Sequence, residues 1–205
     1  MLLVVQLTMV AERDYLIHPY YILITLLLGS ITALFLGFTA AYIYTRVQHG
    51  IAPVNVPNLF YINTFFLLGT SFVLWKTKKA YEMDDTAGYK NYLSLSLILS
   101  LLFLVAQVFA WAQLHKMNIG LTSSPLASYL YIISGIHFIH LVAGIPFLIF
   151  FILDAHKRLI EPASVLVYLS DPDKKRKLKV LSIYWHFLDI LWIYLVLFFV
   201  LNLWI

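Results

Sequence analysis

The segment from Val180 to Ile205 contains one carboxylate, Asp189, and no lysine or arginine. Roughly 20 predominantly apolar residues suffice to carry a helix across the hydrocarbon core of a bilayer. Four more runs of this kind precede it, at about Tyr20–Tyr44, Asn58–Trp75, Tyr92–Leu114 and Leu126–Leu153. Each is read as a helix, because a chain in lipid must satisfy every backbone N–H and C=O internally. The expected fold is therefore an all-α integral membrane protein with five transmembrane helices in one membrane domain, residues 1–205. The 62% hydrophobic and 12% charged composition excludes an ordinary soluble domain.

Charge sets the expected orientation. Two cytoplasmic loops between spans, residues 76–91 and 154–179, hold most of the lysines and arginines, and Ala80–Asn91 within the first reads as a solvated connector. With Arg13 they place twelve cations on the side of the N-terminus, against Arg46 and Lys116 on the other. By the positive-inside rule the N-terminus is cytoplasmic and the C-terminus periplasmic. The net charge of +4 is thus spent at lipid headgroups, and no basic-aromatic surface for nucleic acid is present. The first ten residues lack the basic start and small-residue cleavage site of a signal peptide and read as a short tail or as an upstream start. There is no cysteine, which removes disulfides and thiolate metal sites. Asp171-Pro172-Asp173 reads as a helix start, and Pro146 marks a place for a bend in the long fourth span. Trp111 reads as an interface anchor, and the many Tyr, Phe and Trp as interfacial and lipid-facing bulk. Small residues of the first span, Gly29, Ser30, Thr32, Ala33, Gly37, Ala40 and Ala41, are expected on its interior face, where they permit close helix contact.

Ionisable groups within a span cost several kcal/mol at roughly mid-bilayer unless they face a partner. His186 and Asp189 are one turn apart in Tyr184-Trp185-His186-Phe187-Leu188-Asp189 and share a face, so they pair with each other or with an adjacent helix. His137 and His140 repeat that spacing in the fourth span. A bis-histidine haem needs ligands from opposite sides of the iron, so His137 and His140 cannot serve one haem together, although His186 with either of them could. A mononuclear metal held by His137, His140, His186 and Asp189 is chemically possible. The simpler reading is a structural polar seam formed by His137, His140, His186, Asp189, Gln107, Asn63 and Trp185, with no catalytic, cofactor-binding or metal-ligating residue in the chain. A proton relay would require acids in the first three spans, which have none.

In order and spacing these residues resemble subunit III of the haem-copper respiratory oxidases, in its five-helix bacterial form. The resemblance runs from about Tyr20 to Trp204. It is carried by Tyr184-Trp185-His186-Phe187-Leu188-Asp189-Ile190-Leu191-Trp192 and by Gly135-Ile136-His137-Phe138-Ile139-His140 with Gly144. Ala40-Ala41-Tyr42 with Arg46, Asn63-Thr64, Gly69-Thr70-Ser71, and Gln107 with Trp111 support it. The chain departs from the family pattern where Ile31 follows Ser30 and where Ala110 precedes Trp111, positions at which the family commonly has acids.

The resemblance implies a noncatalytic core subunit of a proton-pumping terminal oxidase that reduces oxygen to water with electrons from cytochrome c or a quinol. It implies a bacterial cytoplasmic membrane and direct contact with subunit I, which with subunit II carries the haems and copper. A small fourth subunit, a respiratory supercomplex and bound phospholipid belong to the same expectation. Two other classes stay open on the residues alone: a haem b quinol-oxidising membrane anchor and a small secondary transporter. The absence of a repeated helix pair weighs against the transporter.

Overall fold

A computed structural model describes residues 18–204. The expected tail at the N-terminus lies outside the described residues. Five long helices are each apolar and long enough to cross a membrane: α1 (Pro19–His49), α2 (Asn58–Glu82), α3 (Thr86–Lys116), α4 (Pro125–Arg158) and α6 (Pro172–Trp204). A short sixth helix, α5 (Pro162–Ser170), lies between α4 and α6.

The helices outrun the apolar windows in the sequence. At 1.5 Å per residue α4 is about 50 Å long, well beyond the roughly 30 Å hydrocarbon core. The charged stretch 76–91, read as a loop with a solvated connector over Ala80–Asn91, is helical except at Met83–Asp85. Lysine and glutamate are good helix formers, so polarity alone does not end a helix. Asp85 instead starts the next one, its carboxylate accepting from the Gly88 N–H at 2.9 Å. Residues 154–179 likewise hold the end of α4, all of α5 and the start of α6, where Asp171 accepts from the Asp173 N–H at 2.8 Å. α4 continues through Pro146 without a break.

α6 is the hub and lies against α1, α2 and α4. α2 and α3 form a tight antiparallel hairpin. The buried positions of α2, Phe60, Asn63, Leu67, Thr70, Leu74, Thr77 and Tyr81, alternate in steps of three and four. Those of α3 do the same from Tyr89 through Leu93, Ser96, Ser100, Phe103, Gln107 and Ala110 to Leu114. That is a heptad seam, the pattern of left-handed helix pairs. Small and polar residues at half of its positions let the backbones close up.

Two expectations are corrected. The small residues of α1 do not face the bundle: Ile24, Ile31, Phe35, Thr39 and Tyr42 do, while Gly29, Ser30, Ala33, Gly37 and Ala40 are exposed on the opposite side. Bulky side chains are what fill the gap between α1 and its neighbours, and nothing lies within 4 Å of where a Cβ would stand on Gly29 or Gly37. The aromatic residues are also not chiefly peripheral. Trp185, Trp192, Tyr42, Tyr89, Phe35, Phe60, Phe103 and Phe199 are among the most enclosed side chains of the core.

Candidate functional site

Trp192 of α6 organises the interior. Its indole stacks on Phe60 of α2 at 5.2 Å between ring centres, meets Phe103 of α3 edge-on at 5.1 Å, and lies 5.1 Å from the imidazole of His137 on α4. Phe35 of α1 closes the remaining side of His137 at 6.4 Å. One aromatic layer therefore joins all five spans. His137 is fully buried, and neither ring nitrogen has a hydrogen-bond partner among the described residues.

His140, one turn on, turns its Nδ1 to the Ile136 carbonyl at 2.7 Å and rests against Phe35. Its own carbonyl accepts from the Tyr184 hydroxyl at 2.7 Å, which ties α4 to α6. Gly144 permits that approach: a Cβ there would stand 2.9 Å from Tyr184 Cε1 and 3.3 Å from Trp185 Cζ2. Trp185 is wholly buried at this crossing, with no partner for its Nε1–H among the described residues.

His186 and Asp189 face another neighbour. The Ser71 hydroxyl of α2 is 2.5 Å from His186 Nδ1 and also stands beside Asp189. Asp189 is 2% exposed, and neither carboxylate oxygen has a hydrogen-bond partner among the described residues. The third polar contact is Asn63 Nδ2 donating to Gln107 Oε1 at 2.8 Å across the α2–α3 seam. The side chains read as one seam thus lie in three places: His137 and His140 inside with Trp185 at the α4–α6 crossing, His186 and Asp189 toward α2, and Asn63 with Gln107 between α2 and α3.

Several polar contacts were not anticipated from the sequence. Thr39 and Tyr194 share a hydrogen bond of 2.8 Å between α1 and α6. Arg46 at the end of α1 donates to Asn202 at the end of α6 at 3.0 Å. Trp111 is not a free interface anchor: its Nε1–H donates to Ser134 Oγ on α4 at 3.0 Å. At the opposite end Asp154 binds Lys174 and accepts from Arg158 Nε at 2.9 Å. Lys174 lies over the Tyr168 ring, which anchors α5 beneath the bundle. Burial pushes the Tyr168 phenol up to about 12. Of these residues Arg46 and Trp111 carried a signal in the sequence, Arg46 after Ala40-Ala41-Tyr42 and Trp111 after Gln107.

The surroundings of His137 do not fit a haem. His137 is sealed by Trp192, Phe103 and Phe35, and a porphyrin on either of its nitrogens would displace that aromatic layer. Among the described residues no three His, Asp or Glu side chains gather as a metal site requires. What the interior groups can do is fix helix to helix.

The fold and its interior define a polytopic α-helical membrane protein in which polar and aromatic contacts hold spans together. Similarity to known proteins gives the particular family. The profile described as Cytochrome c oxidase subunit III matches residues 41–205. A Synechocystis sp. protein named cytochrome c oxidase subunit 3 is 28% identical, covering 84% of this chain and 71% of its own length. One from Thermostichus vulcanus is 29% identical over 87% of this chain and 86% of its own, and one from Corynebacterium diphtheriae is 28% identical over 78% and 76%. The chain belongs to the cytochrome c oxidase subunit III family.

Proposed function

We propose that this chain is a noncatalytic core subunit of a proton-pumping haem-copper terminal oxidase. It sits directly against subunit I, which with subunit II carries the haems and copper, and it stabilises that catalytic unit and holds phospholipid at its surface. The single observation that carries this reading is the Trp192 layer, in which the most enclosed imidazole is packed among aromatic rings drawn from the other spans. Such a residue rigidifies a scaffold and has no access to substrate. A bacterial cytoplasmic membrane is part of the same proposal, and the cation asymmetry supports a cytoplasmic N-terminus. A small fourth subunit and supercomplex membership belong to the same proposal.

The test is purification of the native complex in mild detergent, with mass spectrometry of what accompanies the chain and a reduced-minus-oxidised spectrum of the chain alone. A large haem-bearing membrane subunit in the first and a featureless second are expected. An alpha band from the isolated chain would replace this reading with the haem b anchor.

A further inference from the structure

Seven residues separate His186 from Lys179 on α6, and seven separate Ser71 from Lys78 on α2. At 1.5 Å per residue, the Ser71–His186 pair lies about 10 Å deeper than these lysines and about 7 Å deeper than Lys76. Lysines at span ends hold the headgroup level, so the pair is at hydrocarbon depth. It is also at the edge of the bundle: both residues are half-buried, and on either side stand Leu68 and Phe72 of α2 and Ile190 of α6, all exposed. Nδ1 of His186 is taken by Ser71, and its Nε2 has no partner among the described residues. Directly inward is Asp189, enclosed and with both oxygens unpartnered.

Elsewhere in the spans many polar groups are spent inside the chain, and the unpartnered His137 and Trp185 are sealed in the core. Asn63 meets Gln107, Thr39 meets Tyr194, and Trp111 meets Ser134. Thr25, Ser30 and Thr32 on α1 bond to their own backbone. His140 turns its Nδ1 to Ile136 and lies against Phe35, and its Nε2, like that of His186, has no partner among the described residues. At the α2–α6 edge a polar cluster instead opens outward at a depth where lipid tails offer nothing to bond with.

We propose that the groove between α2 and α6, at the level of Ser71 and His186, is where a transmembrane helix of a partner subunit docks, with a hydroxyl, amide or carboxyl side chain of that helix filling His186 Nε2. This rests on the oxidase-subunit reading for the existence of a membrane partner; which face meets that partner is a separate matter. The occupant is a protein helix and not a lipid, because the unfilled atom is below the headgroups. The Ser71 contact fixes the ring, so the imidazole is presented in one orientation.

The experiment uses the native complex, with a photo-crosslinking amino acid placed at Leu68 or Ile190, and at Val105 or Phe109 on the exposed face of α3 as controls. Adducts to a haem-bearing membrane subunit, identified by mass spectrometry, are expected from Leu68 and Ile190 at several times the control yield. In parallel, His186→Phe is expected to lower the partner recovered with the chain several-fold, and His186→Gln, which returns an amide near the Nε2 position, to restore most of it. Adducts from the α3 positions alone, adducts from Leu68 or Ile190 to residues 1–17 of the same chain, or unchanged partner recovery with His186→Phe would each overturn the docking face and leave the subunit reading intact. Failure of the unmodified chain to recover any haem-bearing subunit would overturn both.

Discussion

Gly144 is the residue at which sequence dictates packing most directly. A methyl group there meets Tyr184, whose hydroxyl is held by the His140 carbonyl, and Trp185, which is wholly buried. Neither ring can swing away, so the backbones of α4 and α6 must part. Gly144→Ala is expected to cost roughly 1–3 kcal/mol, read as a lower melting temperature of the purified complex. Asn63 and Gln107 call for a cycle of replacements. Removing one partner strands the other in a water-free seam at a cost of about 1–3 kcal/mol, whereas replacing both with leucine is nearly neutral. Unfolding of Asn63→Leu, Gln107→Leu and the double variant in a denaturing detergent measures this. Equal additive losses in the two single variants and their sum in the double would show that the amides do not act as a pair. Ile31 and Ala110, where the family commonly has acids, are buried apolar residues that pack into the interior.

At the scale of elements, α5 has the clearest dependence on solution conditions. Its attachment runs through Tyr168, whose carbonyl accepts from the Tyr81 hydroxyl at 3.1 Å and whose ring lies beneath Lys174. Burial raises the Tyr168 phenol to about 12 from the ordinary 10, so the folded protein holds that proton more tightly than the unfolded chain. Stability from this group is therefore complete below pH 10 and is lost as pH rises through 12. Proteolysis at Ile160–Glu161 is expected to accelerate above pH 10, and Tyr168→Phe to flatten the profile. How far α5 and its neighbours were legible in the sequence follows from what sets a helix boundary. Five spans can be counted from apolar length, because the bilayer imposes it. The ends cannot, because Lys76, Lys79, Glu82 and Lys90 continue a helix as readily as they leave one. Which side of α1 faces inward was also illegible. Small and large apolar residues both suit lipid, and only the neighbour chooses between them. Of the interior contacts, the one-turn pairs His137 with His140 and His186 with Asp189 were visible as spacing. Their separation onto two sides of α6 required the partners, Trp192 and Ser71.

For the whole molecule, the expected topology can be read directly, since the chain has no cysteine of its own. Single cysteines at Lys116 and Lys175 mark the two ends of the bundle. An impermeant maleimide added to intact cells is expected to label Lys116→Cys and spare Lys175→Cys, and the reverse pattern would invert the proposed orientation. The turn at Met83–Asp85 has a further consequence for how α2 and α3 can move. Three residues reach only about 10 Å at full stretch, so neither helix can slide far along the other without unwinding at that end, and the hairpin travels as one body.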